Sequence, residues 1–306
     1  MTIYENATEF YNLPVVDLES EDDWQGTECA YRIRTDWDTP PEELGYRLQV
    51  IANHEDAAEL KALVIGSWGG DDGQTDNSQI IQELAECSDR LSGLKAIFLG
   101  DIISEENEMS WIQQSDVADV LRAYGNLELF RVRGGSGLGI SSCEHENLKS
   151  LIIETGGMPR SVLREIFRGG LNNLEHLELW LGDENYGWNG GPEDLQPLLT
   201  GKLFPKLTYL GLRNSAAIDE IAPVLPNSPL VARLKVLDLS LGAMTEVGAR
   251  SLLALSEGTS LEKLDLSYHY ITPAVVEELK AKLPFEVVAD DANDPNEEWR
   301  SIYVAE

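Results

Sequence analysis

One pattern constrains this chain more than any other: L-x-x-L-x-L recurs along its length. The cleanest copies are Leu174-Glu-His-Leu177-Glu-Leu179, Leu207-Thr-Tyr-Leu210-Gly-Leu212, Leu234-Lys-Val-Leu237-Asp-Leu239 and Leu261-Glu-Lys-Leu264-Asp-Leu266. Looser copies begin at Leu60, Leu94, Leu127 and Leu148. The eight starts lie 34, 33, 21, 26, 33, 27 and 27 residues apart, which is an internal repeat. An x-L-x-L segment is a short strand of period two with its leucines on one side. A single strand cannot bury that side. Stacked copies build a parallel sheet with a continuous core.

Helical patterns fill most of the gaps. Ile80, Ile81 and Leu84, then Val117, Val120, Leu121 and Tyr124, then Leu163, Ile166 and Phe167, then Val275, Val276 and Leu279 each make one apolar face. Thr272-Pro273 reads as an N-cap followed by proline at the first helical position. The gaps of 27 to 34 residues have room for a helix, and the 21-residue gap has little. Strands are therefore expected on a concave face and helices on a convex one. Before the repeats, Tyr31–Thr35 reads as a strand, and Pro40-Pro41-Glu42-Glu43 opens a helix carrying Leu44, Leu48 and Ile51. The organisation expected is an N-terminal cap over 1–59, a solenoid of about eight repeats over 60–288, and an acidic linker with a C-terminal capping segment over 289–306. Phe285–Val288 reads as the last strand, and Trp299–Val304 as a segment that folds back as a cap.

Charge narrows the partners. The chain of 306 residues carries 23 Lys and Arg against 54 Asp and Glu, a formal net charge of -31. Phosphate contacts need clustered basic residues, so nucleic acid and anionic membrane are poor partners, and a basic protein or peptide is a natural one. A hydrophobic content of 42% excludes a mostly disordered chain. No apolar run approaches the ~18 residues that span a membrane, and the N-terminus shows no secretory signal. Cys29, Cys87 and Cys143 are widely spaced with no CxxC, which fits a reducing cytoplasm.

The repeats resemble ribonuclease-inhibitor-type leucine-rich-repeat proteins. Longer strings are similar to a largely uncharacterised bacterial family of soluble leucine-rich-repeat proteins. They are Ile97–Glu106, Ser110–Val117, Arg131-Val-Arg-Gly-Gly135, Leu174–Gly182, Tyr209–Asn214 and Leu237–Gly242. The resemblance, running from about Leu13 onward, implies an α/β horseshoe solenoid with a parallel sheet on the concave face and helices on the convex face. It implies no settled activity. Gene neighbours of that family, radical enzymes and ATP-grasp enzymes, imply an accessory role in biosynthesis. One departure stands out. The ninth repeat position, commonly Asn, is Trp68, Ile102, Gly135, Gly156, Gly182, Ser215, Gly242 and His269, so the usual side-chain ladder is missing.

Two columns of residues flank the third leucine position on the strand face. One reads Val64, Phe98, Arg131, Ile152, Glu178, Gly211, Asp238, Asp265, and the other Gly66, Gly100, Arg133, Glu154, Trp180, Arg213, Ser240, Ser267. Strand neighbours lie ~4.8 Å apart, so Arg133 is expected beside Glu154, and Trp180 beside Arg213. Such pairs serve either as cross-strand ties or as a groove gripping a partner, since Trp and Arg dominate interface hot spots. Asp238 beside Asp265 is either solvated repeat filler or a subsite for a basic side chain. Long loops after the strands carry Trp68, Trp111, Tyr186 and Trp188, as plugs against the core or as binding groups.

No chemistry is written in a motif. Counted from Asp71 or Asp183, the acidic loops lack the Gly and Glu of a calcium loop. Gly134–Gly139 lacks the spacing of a phosphate cradle and reads as a flexible turn. Cys143-Glu-His145 has no second pair at zinc spacing, and HExxH and GxSxG are absent. No metal or cofactor is expected. The function expected is a non-catalytic scaffold or regulator that binds a protein or peptide through Arg131, Arg133, Glu154, Glu178, Trp180, Arg213, Asp238, Asp265 and the loop aromatics. The alternative is an accessory or substrate-handling subunit of a biosynthetic enzyme system, with a carboxylate site near Glu178, Asp238 and Asp265.

Overall fold

The computed structural model describes residues 3–36, 39–40, 42–69, 75–256 and 258–305. Pro41 and Gly70–Gln74, with Asp71 of the first acidic loop, lie outside the described residues. The chain divides into two compact units, Thr2–Ile153 and Glu154–Ala305.

In the first unit β1 (Glu9–Phe10) pairs antiparallel with β2 (Leu13–Asp17). From β2 onward every pairing is parallel and follows chain order: β3 (Ala30–Ile33), β4 (Ala62–Ile65), β5 (Ala96–Leu99) and β6 (Leu129–Arg133). Helices α1 (Glu42–Ala52), α2 (Ser78–Glu86) and α3 (Ala118–Ala123) return the chain between strands. Their apolar faces, including Leu48, Ile51, Ile81, Leu84, Val120 and Leu121, are buried together with Leu63, Ile65, Ile97, Leu99, Phe130 and Val132 of the strands. After β6, residues 134–149 hold only turns and bridges, as the short gap dictates. The glycine run there is not a free turn: Gln114 N donates to Ser136 O at 2.7 Å and Val117 N to Gly139 O at 3.0 Å. At the junction lies β7 (Ser150–Glu154).

The second unit continues the plan with α4 (Arg160–Ile166), β8 (His176–Gly182), α5 (Gln196–Leu199), β9 (Tyr209–Ser215) and α6 (Ile218–Ile221). There follow β10 (Val236–Asp238), α7 (Glu246–Ser251), β11 (Lys263–Asp265), α8 (Pro273–Lys282) and β12 (Glu286–Val288). Strands β8 to β12 pair in parallel in sequence order. All eight copies of the leucine pattern become strands, β4 to β11. This is the leucine-rich-repeat fold, α/β with a parallel sheet on one side and helices on the other. Proline does open α8 after Thr272, but the threonine hydroxyl donates to Glu246 instead of capping the helix.

Two local outcomes differ from what the strand-face columns suggest. Val64 and Phe98 are fully buried, not exposed. They form an apolar cluster with Phe10, Ala30, Ala62 and Ala96, against which Ala7, Tyr11, Leu13 and Val15 pack. Apolar side chains in a face column need a cover, and the N-terminal segment supplies it. The missing asparagine ladder is replaced by backbone. Asp183 N donates to Gly156 O (2.8 Å), Ala216 N to Gly182 O (3.1 Å) and Ala243 N to Ser215 O (3.1 Å). Glycine at 182 makes this approach possible: its φ is +79°, and a Cβ there would lie 1.9 Å from Gly156 O.

Candidate functional site

Glu178, Trp180, Tyr209, Arg213 and Asp238 come together on the strand face of the second unit. Register does the placing. Glu178 stands opposite Gly211, Gly211 opposite Asp238, and Trp180 opposite Arg213. The glycine between the two carboxylates leaves space that larger residues fill from either side. A Cβ at 211 would come within 3.1 Å of the Glu178 side chain and 3.3 Å of those of Arg213 and Tyr209.

Glu178 Oε1 accepts from Trp180 Nε1 and from Arg213 Nη1, each at 2.7 Å. The Tyr209 hydroxyl donates to Asp238 Oδ2 at 2.7 Å, with Glu178 Oε2 3.3 Å away. Arg213 Nε donates to Ser240 Oγ at 3.0 Å and lies 3.4 Å from Asp238 Oδ2. The Arg213 guanidinium also sits 5.4 Å from the Trp180 ring centroid, the expected cross-strand pair. His176 stacks on Tyr209 with ring centroids 3.9 Å apart and ring planes nearly parallel, at 7°. Its Nε2 faces Glu178 Oε2 at 3.5 Å.

Glu178, Tyr209 and Arg213 are each held in one protonation state. Burial by itself would raise the Glu178 carboxyl. His176, the Arg213 charge and the Trp180 and Arg213 donors outweigh it and hold the group down at about 2. Burial, reinforced by the Glu178 and Asp238 charges, pushes the Tyr209 hydroxyl far above its usual value. Burial would lower Arg213, but the two carboxylates and Tyr209 raise it above the ordinary guanidinium value. At neutral pH, then, Glu178 is an anion, Tyr209 a neutral donor and Arg213 a cation. None of these three is poised to exchange a proton near neutral pH.

Asp238 and Asp265 are register neighbours, as expected. Each carboxylate has its own cation, since Lys263 Nζ lies 2.9 Å from Asp265 Oδ2 and Arg213 serves Asp238. Each also accepts from the backbone N–H two residues on, Ser240 at 2.9 Å and Ser267 at 3.0 Å. The repeated Leu-Asp-Leu-Ser is thus a local strand-end turn. Burial opposes ionisation of Asp265, but Lys263 and Ser267 hold its carboxyl below the usual range.

The other residues singled out by sequence fall elsewhere. Glu154 ends β7 and is buried in the second unit. Arg131 and Arg133 belong to the first unit, their guanidinium carbons 4.3 and 5.2 Å from the Phe98 ring centroid. Arg133 Nη1 donates to Ile102 O at 3.1 Å and lies 3.6 Å from Asp101. Trp68 is buried, its Nε1 donating to Thr75 O, whereas Trp111 is 56% exposed. Trp188 is buried, and Tyr186 is half-buried. With Asp183, Glu184, Asn189, Ala216 and Glu220, Trp188 lines an open groove of about 470 Å³ at the exits of β8 and β9.

His176 and Tyr209 escaped sequence reading although a signal existed. Both occupy the third position of the repeat, two residues before Glu178 and Gly211. A strand of period two puts that position on the same face.

A crystal structure of a Bacteroides fragilis protein is similar to this chain at 30% identity and a TM-score of 0.78, covering 88% of this chain and 76% of that one. Two further structures match more loosely. An internalin from Listeria monocytogenes has 14% identity and a TM-score of 0.39, covering 87% of this chain and 62% of that one. A TLR13–ssRNA13 complex has 15% identity and a TM-score of 0.43, covering 92% of this chain and 33% of that one. No protein-family model matches, and no curated protein does.

Proposed function

The chain belongs to the same family as the Bacteroides fragilis protein, and we propose that it is a non-catalytic binding module of the ribonuclease-inhibitor type. It takes a protein or peptide partner on the strand face of Glu154–Ala305. The observation that supports this reading is the interlocked set Glu178–Trp180–Arg213–Tyr209–Asp238. It spans three adjacent strands, and hydrogen bonds tie its side chains to one another. Rigid aromatic and arginine side chains ordered before binding lose little entropy when a partner docks. Arg213 and the His176–Tyr209 stack are its accessible part, with Arg213 22% and His176 32% exposed at the side chain. Glu178, Asp238 and Asp265 outnumber Arg213 and Lys263 on this face, and the whole chain is at -31, so the partner's matching surface is basic. The buried thiols of Cys29, Cys87 and Cys143, none of them in a disulfide, suit a reducing cytoplasm.

The test is affinity capture from the source organism's lysate at low salt, followed by calorimetry with the purified partner. Arg213→Gln, checked for retained fold, should weaken binding at least about tenfold, as expected of a central hot spot. Binding should also fall as salt rises. Unchanged affinity of a folded Arg213→Gln variant removes the strand face as the site. Capture of no protein by the wild type turns the case toward the accessory-subunit reading.

A further inference from the structure

The last five described residues, Ser301–Ala305, cross the exits of three successive strands. Three of the residues that hold them share one repeat position, the eighth: Asn214, Leu241 and Tyr268. All three have left-handed backbones, with φ of 49°, 65° and 60°. Only glycine adopts that region freely, so the same unusual turn is kept in three repeats where side chains disfavour it.

Each of the three residues meets the tail in a different way. Asn214 is fully buried and clamps one residue from both sides: Val304 N donates to its Oδ1 at 2.9 Å, and its Nδ2 donates to Val304 O at 2.5 Å. Leu241 O accepts from Tyr303 N at 2.9 Å. The Tyr268 ring meets Tyr303 edge-on at 5.3 Å, and its hydroxyl lies 3.4 Å from Ser301 Oγ. The Tyr270 hydroxyl accepts from Ser301 N and donates to Ser301 O, each at 3.1 Å. Ile302 is buried among Ala243, Tyr268 and Tyr270, and Val304 is buried completely.

These contacts read the tail through its backbone and through two apolar side chains at i and i+2. That is how proteins recognise extended peptides. None of them depends on the tail being joined to the rest of the chain. The segment that joins it is different in kind. Asp294–Arg300 is largely exposed and bonds locally, Glu297 N to Asp294 O and Arg300 Nη2 to Pro295 O. Trp299, immediately before the tail, is 86% exposed.

We propose that the exits of β9, β10 and β11 form a binding site for an extended peptide with apolar residues at i and i+2, and that the chain's own tail fills this site as a displaceable strap. The site shares no side chain with the strand-face set, so it stands or falls independently of the proposed function. A tether of this length holds the tail at an effective concentration of about millimolar, so a free peptide competes poorly until the tether is cut.

The experiment uses the full chain with a specific protease site inserted after Asn296, cut once the protein has folded. The probe is a fluorescein-labelled peptide of residues 300–306. The cut protein should exchange its tail for the peptide and give saturable anisotropy, while the uncut protein binds at least about tenfold more weakly. Asn214→Ala in the cut protein should abolish uptake, and Arg213→Ala should leave it intact. Four results would overturn the proposal: loss of cooperative unfolding on cutting, no uptake by a folded cut protein, equal uptake before cutting, or uptake indifferent to Asn214→Ala. The first of these would make the tail a structural cap alone.

Discussion

Glu178 shows how much one residue's neighbours decide. By burial alone it would be a weak acid, and its donors make it a permanent anion instead. A carboxyl depressed in the folded state stabilises the fold above its unfolded value, near 4.5, and loses that contribution as pH falls through its folded value, about 2. The contribution is on the order of 3 kcal/mol at neutral pH. Glu178→Gln should therefore flatten the fall in stability between pH 5 and pH 2, measured by urea unfolding at several pH values. A slope equal to the wild type's would show that the carboxylate is not held by these donors. The identity of this residue was legible from its column. Its state was not, because His176 and Tyr209 reach it from a different repeat position.

At the scale of the element, the strand exit is the part of the repeat that varies. Leucine spacing announces each strand, and each strand forms. The exits need either glycine or a strained turn, and both occur. Gly182 passes under Gly156 O, where no side chain fits. Gly182→Ala should cost about 2–4 kcal/mol in denaturant unfolding. Gly125→Ala, with open space around the new Cβ, should stay within about 0.5 kcal/mol. Equal effects would mean that the backbone ladder is not rigid. The left-handed Leu241 and Tyr268 cost about 1–2 kcal/mol each. No spacing rule foresees them, since their conformation serves a segment that arrives tens of residues later.

For the whole molecule the governing quantity is charge. At -31 the chain repels itself, and added salt screens that repulsion. Raising NaCl from about 20 to about 300 mM shortens the Debye length from about 20 to about 6 Å. The melting temperature should rise by about 2–5 °C, as scanning fluorimetry would show, for a stability change of about 1 kcal/mol. A flat response would mean that local ion pairs already neutralise the carboxylates. Binding of a basic partner should respond to salt in the opposite direction. Among the described residues no helix is long and apolar enough to cross a membrane.

The sequence by itself determined the repeat, the strand positions, the helices between them and the alternation of faces. Each of these is a local consequence of period two or period 3.6 acting on apolar residues. It also placed Trp180 beside Arg213 and Asp238 beside Asp265, because one repeat sets the register of the next. Only the tertiary structure decided which columns stay open. Val64 and Phe98 lie under the N-terminal segment, while the columns of the second unit join into one hydrogen-bonded set. It also decided that Trp68 and Trp188 are buried while Trp111 is exposed, and that Asn214 grips Val304 across ninety residues of chain. Long-range closure carries no local period, so it leaves no mark in spacing or composition.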